Sequence, residues 1–159
     1  MAVRPLCVMP HEVLRTVAAP ITRFTKDVST LVRDLVDTMH AHDGVGLAAP
    51  QIGCGVQVFV VSPSQRLGTA LAVVNPILER TSGHAEIVEG CLSLPDVWDT
   101  VRRSASVRLR GQDPLGKPLR VDAEGLLAIV IQHELDHLKG RLFTDRVPRG
   151  TPRRAPRAP

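Results

Sequence analysis

A chain of 159 residues with 43% apolar and 23% charged side chains has the size and make-up of one globular domain whose core needs no disulfide staples. Its three cysteines, Cys7, Cys54 and Cys91, are an odd count that argues against a secreted disulfide framework. No run approaches the roughly 18 apolar residues that would cross a membrane as a helix, so no membrane association is expected.

The first residues, Met1-Ala2-Val3-Arg4-Pro5, lack the long apolar core of a signal peptide. The chain is expected to act where it is made, in a cytoplasm. Asp27 to Met39 reads as the first helix, because Val28, Leu31, Val32, Leu35, Val36 and Met39 fall on one apolar stripe. The segment 44–53, Gly-Val-Gly-Leu-Ala-Ala-Pro-Gln-Ile-Gly, is built for close approach of backbone to backbone or ligand. Val56 to Val61 and Ala70 to Asn75 read as strands, the second ended by Pro76. Ile77 to Arg80 and Glu86 to Val88 are expected to extend the same sheet. The glycine-preceded Cys91 and the following Leu92-Ser93-Leu94-Pro95 fit a rigid loop. Val101 to Arg110 reads as one half-exposed strand, and Leu119 to Val121 as a short return strand after the turn Asp113-Pro114-Leu115-Gly116.

Ala123 to Lys139 reads as the second helix, with Asp122 as N-cap and Gly140 just past its end. Leu126, Leu127, Ile129, Val130 and Ile131 leave it almost no polar side, so it is expected to be central and buried. Such a helix carries ionisable residues at a cost unless they are paired or used. This one carries His133, Glu134, Asp136 and His137.

His133-Glu134-Leu135-Asp136-His137 is an H-E-x-x-H motif. Residues at i and i+4 of a helix point the same way. Two imidazoles so placed can share one metal ion, with the glutamate positioned for acid–base work beside it. The competing bland reading is a pair of satisfied core histidines, which would leave Glu134 and Asp136 to be buried without purpose. A catalytic site takes three protein ligands and keeps one position open. The third ligand is to be sought among His, Cys and carboxylates elsewhere; Cys91, as thiolate, would complete a Cys-His-His set.

Three segments together resemble the signature motifs of the peptide deformylases. Gly44-Val45-Gly46-Leu47-Ala48-Ala49-Pro50-Gln51 is similar to the family's G-x-G-x-A-A-x-Q. Glu89-Gly90-Cys91-Leu92-Ser93 matches E-G-C-x-S, and Gln132-His133-Glu134-Leu135-Asp136-His137 matches Q-H-E-x-D-H. The likeness spans about residues 4–146. It implies a metal-dependent hydrolase that removes the formyl group from N-formylmethionyl nascent peptides and releases formate. By that resemblance Cys91, His133 and His137 hold one divalent metal ion, physiologically Fe²⁺, with Zn²⁺ or Ni²⁺ as substitutes. Glu134 moves the proton, and Gln51 with the Leu92 backbone N–H steadies the oxyanion. Val45, Gly46, Ile87, Glu89, Leu126, Ile129 and Val130 contact the substrate, and Glu89, Asp136 and Arg103 support the ligands from behind. Trp98 would either cover the substrate at the rim or pack on the sheet.

Two other readings compete with this one. A zinc endopeptidase would need neither Cys91 nor Gln51. A non-enzymatic RNA- or ribosome-binding adaptor would lean on the basic end of the chain. The formal charge is +4, and the segment from Arg146 onward holds five arginines and no acid. Setting those aside leaves 15 basic against 16 acidic residues in the body. Residues 1–146 are therefore taken as the catalytic domain, and 147–159 as a flexible Pro/Arg-rich tail that would serve, if it has a function, as an electrostatic tether to ribosomal RNA. With no Tyr and 3% aromatics, base stacking is not expected, and no DNA partner is indicated. The fold class expected is α+β, a mixed and largely antiparallel set of strands around a central helix carrying the H-E-x-x-H motif.

Overall fold

A strand whose residues are apolar without alternation must be covered on both faces, and Val58–Val61 (β2) is such a strand, with all four side chains buried. In the computed structural model, which describes residues 2–147, one face of β2 is covered by each of two helices. Phe59 and Val61 join the cluster of Ala128, Val130, Ile131, Leu135 and Leu138 from helix α2 (Gly125–Leu138). Val58 and Val60 join Val28, Leu35 and Met39 from helix α1 (Lys26–Ala41). The two-residue period of a strand thus divides the core into two halves.

The sheet that separates the helices is antiparallel, in the order β1 (Gly46–Ala48), β2, β3 (Leu71–Ser82), β6 (Ser106–Gln112), β7 (Pro118–Glu124). Strands β4 (Ala85–Cys91) and β5 (Leu94–Arg103) form a separate two-stranded sheet. A parallel bridge joins Ala19 to Val56. The α+β class and the central, buried motif helix agree with the sequence reading.

Several boundaries differ from it. Pro76 does not end β3. A register shift between Val74 and Ile77, with Asn75 at φ 50°, absorbs the missing N–H. The stretch read as one strand over 101–110 is two strands in different sheets, so Glu86–Val88 does not extend the main sheet. The corner between them is held by Gln132, whose Oε1 accepts from Ser104 N–H at 3.0 Å and whose amide donates to Ser104 C=O at 2.9 Å. The segment after Cys91, read as a rigid loop, is a tight turn, for Leu94 already pairs back to Cys91. Asp122 is not the N-cap of α2. It lies in β7 and accepts from Arg108 Nε at 2.7 Å, while Glu124 occupies the cap position.

Gly140 ends α2 as expected, at φ 70°. A Cβ there would stand 2.7 Å from the Arg15 carbonyl oxygen. Gly140→Ala is therefore expected to destabilise the fold by at least about 1 kcal/mol, the cost of a left-handed non-glycine residue, measured as a lower urea midpoint at unchanged slope. An unchanged midpoint would contradict this account of the helix terminus.

Candidate metal centre and active site

The site forms where the polar side of α2 meets β4. The i, i+4 spacing brings the His133 and His137 rings edge to face, with centroids 5.0 Å apart. Cys91, the last residue of β4, brings its Sγ to 3.3 Å from His137 Nε2. One ligand atom from each of Cys91, His133 and His137 falls within 4.8 Å of the others. Tetrahedral metal–sulfur and metal–nitrogen bonds of about 2.3 and 2.0–2.1 Å would set sulfur and nitrogen about 3.6 Å apart. Cys91 Sγ and His137 Nε2 are close to that spacing already, at 3.3 Å, and a thiolate with two imidazoles suits a transition-metal dication. The set therefore fits a metal ion.

The supporting shell is a chain of charge-assisted bonds. His133 Nδ1 donates to Glu89 Oε1 at 2.8 Å, which leaves Nε2 for a metal. Arg103, whose side chain is 1% exposed, spans two carboxylates. Its Nε and Nη2 hold Glu89, the latter at 2.8 Å, and its Nη1 donates to Asp136 Oδ2 at 3.0 Å. Burial alone would raise the pKa of both acids. The bonds from Arg103 and His133 outweigh it at Glu89, and those from Arg146 and Arg103 outweigh it at Asp136, so both stay below the ordinary carboxylate range. The Asp136–Arg103 pair is thus buried rather than superficial.

Glu134 is buried, lies against the backbone of Gly46, and has an Oε2 with no protein partner among the described residues. Burial pushes its pKa up to about 7, partly opposed by the positive charges of His133 and Arg103. Gln51, in a 3-10 turn at Ala49–Ile52, has its amide orientation fixed. Its Oε1 accepts from Ala48 N–H at 2.9 Å, and its NH₂ faces Ser93 Oγ at 3.2 Å and Cys91 Sγ at 3.6 Å.

A cleft of about 580 Å³ opens onto this cluster. Val45, Gly46, Ile87, Glu89, Leu92, Leu126, Ile129 and Val130, all named from sequence, line it together with Gln51, Cys91, His133 and Glu134. Trp98 lines it too, 42% exposed, with its ring so close over Gly90 that no Cβ fits there. It therefore packs on the sheet and stands in the cleft wall at once. Residues that the sequence reading gave no role also contribute. Ser93 holds Gln51, Phe143 stacks on His133 with centroids 6.1 Å apart, and Arg146 bonds Asp136. Ser93 was visible in the E-G-C-x-S segment. Nothing local marked Phe143, and Arg146 was noted only for its charge, at the end of the catalytic domain.

A cysteine sulfur and two imidazoles in mutual reach, with a carboxylate beside them and a cleft above, define a metal-dependent hydrolase. The family model for polypeptide deformylase matches residues 3–153. Solved structures agree. The chain superposes on a peptide deformylase from Legionella pneumophila with a TM-score of 0.90 at 40% identity, covering 93% of this chain and 88% of that one. For the Thermotoga maritima peptide deformylase the TM-score is 0.88 at 34% identity, covering 93% and 99%. For that of Synechococcus elongatus in complex with actinonin it is 0.87 at 39% identity, covering 92% and 80%. The chain belongs to the polypeptide deformylase family. Its activity is the metal-dependent removal of the N-formyl group from formylated peptides, which sets aside the endopeptidase and adaptor readings.

Removing Arg103 would take both guanidinium bonds from buried Glu89 and leave Asp136 to Arg146 alone. Arg103→Ala is expected to cost about 3–5 kcal/mol in denaturant-induced unfolding and to lower metal retention on dialysis against a chelator. Unchanged stability and retention would remove Arg103 from the supporting shell.

Proposed function

We propose that Cys91, His133 and His137 hold one divalent ion, Fe²⁺ in the working enzyme with Zn²⁺ or Ni²⁺ accepted in its place, and that Glu134, Gln51 and Leu92 carry the hydrolysis of formylmethionyl chains. The observation that carries this reading is the convergence of Cys91 Sγ on the helix histidines, 3.3 Å from His137 Nε2. Bound there, the ion supplies Lewis acidity toward water and the formyl oxygen. Glu134 takes the proton from the attacking water and passes it to the leaving amine; its buried carboxyl, with a pKa of about 7, is suited to both tasks near neutrality. Gln51, its carbonyl end anchored on Ala48, donates its N–H to the developing oxyanion together with the Leu92 backbone N–H.

The methionine side chain lies in the apolar cleft among Val45, Ile87, Leu126, Ile129, Val130 and the His133 ring. The peptide backbone pairs at Val45 and Gly46. In support, β1 is the outermost strand of its sheet, which leaves one edge for strand addition. The Val45 carbonyl already accepts from Ser62 N–H at 2.7 Å, so any bond from substrate uses its second lone pair. Glu89, Arg103 and Asp136 orient the ligands from behind.

Residues 1–146 act as the catalytic domain, in the cytoplasm where formylated chains emerge. No helix among the described residues is long and apolar enough to cross a membrane. The segment 147–159, which apart from Val147 lies outside the described residues, is a tether to ribosomal RNA. It carries Arg149, Arg153, Arg154 and Arg157 without an acid.

Anaerobically purified protein loaded with Fe²⁺ is expected to release formate from formyl-Met-Ala-Ser. Glu134→Gln should lose about 10²–10⁴-fold in kcat while keeping its metal, and full activity in that variant would refute the role of Glu134. Glu134 must be ionised to accept a proton, so kcat/KM rises with pH through its pKa. A cation beside it lowers that pKa further, so the acid limb should have its midpoint at or below about 7. A midpoint well above that would exclude Glu134 as the base. Deleting 147–159 should weaken salt-sensitive ribosome binding and leave turnover of the tripeptide intact. Unchanged binding would exclude the tether.

A further inference from the structure

We infer that Arg146, beyond the last helix, is a positioning residue for the metal-holding histidines, acting through Asp136, Arg103 and Glu89. The inference rests on the metal-site reading above and extends it to a residue outside the three motifs. Arg146 closes the 3-10 turn Phe143–Arg146. Its guanidinium grips both oxygens of Asp136, Nε to Oδ2 at 2.6 Å and Nη2 to Oδ1 at 2.6 Å. Asp136 Oδ2 is shared with Arg103 Nη1, and the rest of the Arg103 fork is spent on Glu89, which in turn holds His133 Nδ1. One unbroken series of bonds therefore runs from a side chain 41% exposed to a ligand ring.

Charge makes the end of that series matter. Glu89 and Asp136 are buried acids with side chains 7% and 4% exposed. Arg103 and Arg146 are the guanidiniums that balance them, two against two. Without Arg146, one guanidinium would serve two buried carboxylates. Arg103 would be drawn toward Asp136 at the expense of Glu89, and the Glu89 bond that sets the His133 ring would slacken. The turn itself is well fixed: Leu142 and Phe143 are buried, Asp145 Oδ2 accepts from Leu142 N–H at 3.0 Å, and Phe143 stacks on His133. The turn that carries Arg146 is thus held by packing that does not depend on the Arg146 ion pair.

The test compares Arg146→Ala, Arg146→Lys, Asp136→Asn and the Arg146→Ala/Asp136→Asn double variant in the full-length chain. Zn²⁺ affinity is read by competition with a chromophoric chelator, and the visible spectrum is recorded after Co²⁺ loading. Arg146→Ala is expected to lose roughly tenfold in Zn²⁺ affinity, the low end for outer-shell partners, with an altered Co²⁺ spectrum. On formyl-Met-Ala-Ser, kcat should fall and KM should stay within about twofold, since no substrate contact is removed. Arg146→Lys should recover part of the loss. In the Asp136→Asn background the Arg146→Ala change should have no further effect, because the charge it balances is gone. Unchanged Zn²⁺ affinity and Co²⁺ spectrum in Arg146→Ala would overturn the proposal. So would a loss of equal size in the Asp136→Asn background. If formate release fails in the unaltered protein while the affinity pattern holds, the deformylase mechanism falls and the role of Arg146 stands.

Discussion

Arg103 is the side chain on which the rest of the site depends. Helix α2 is apolar nearly all round, yet one stretch of it carries four ionisable groups. Such groups can be buried only if their charges and hydrogen bonds are met within the protein. Arg103, at the end of β5, meets two needs at once by bonding Glu89 on the neighbouring strand and Asp136 on the helix. That fastens the small β4–β5 sheet to α2. Cys91 travels on β4 and the histidines on α2, so this clamp is also what brings sulfur and nitrogen together.

The main sheet has a different task. With α1 packed on one face and α2 on the other, α2 has little freedom to shift, and a rigid platform is what a metal site with preset ligand spacing requires. Gly46 shows how closely the layers meet. A Cβ at that position would stand 2.5 Å from Glu134 Oε1 and 2.7 Å from Val130 Cγ1. The absence of a side chain there lets β1 come against the carboxylate that moves the proton, and it leaves the edge of β1 bordering the cleft. Gly90 does the same across the cleft by accepting the Trp98 ring against its backbone.

Much of this was legible in the sequence, because the informative signals are local. The stripe of Val28, Leu35 and Met39 fixes a helix through its 3.6-residue period. His133 and His137 fall on one face by the same arithmetic, and three ordered motifs identify the family. What escaped is where distant segments meet. A strand period cannot tell which sheet a strand joins, so Val101–Arg110 read as one strand although Ser104 turns a corner pinned by Gln132 from α2. A proline read as a strand end lost to a bulge that the pairing of β3 with β6 supports. Asp122 had the residue type of a helix cap, but its strand partner Arg108 claimed it. Arg146, the last residue of the expected catalytic domain, was noted only for its charge. Its partner, ten positions earlier, comes into reach only after Gly140 reverses the chain.

The central claim is that one sulfur and two ring nitrogens share a divalent ion, and X-ray absorption on the Zn²⁺-loaded protein tests it most directly. The account expects one sulfur scatterer at about 2.3 Å and a nitrogen/oxygen shell at about 2.0–2.1 Å, with the sulfur shell lost in Cys91→Ser. A first shell of nitrogen and oxygen alone in the unaltered protein would contradict it.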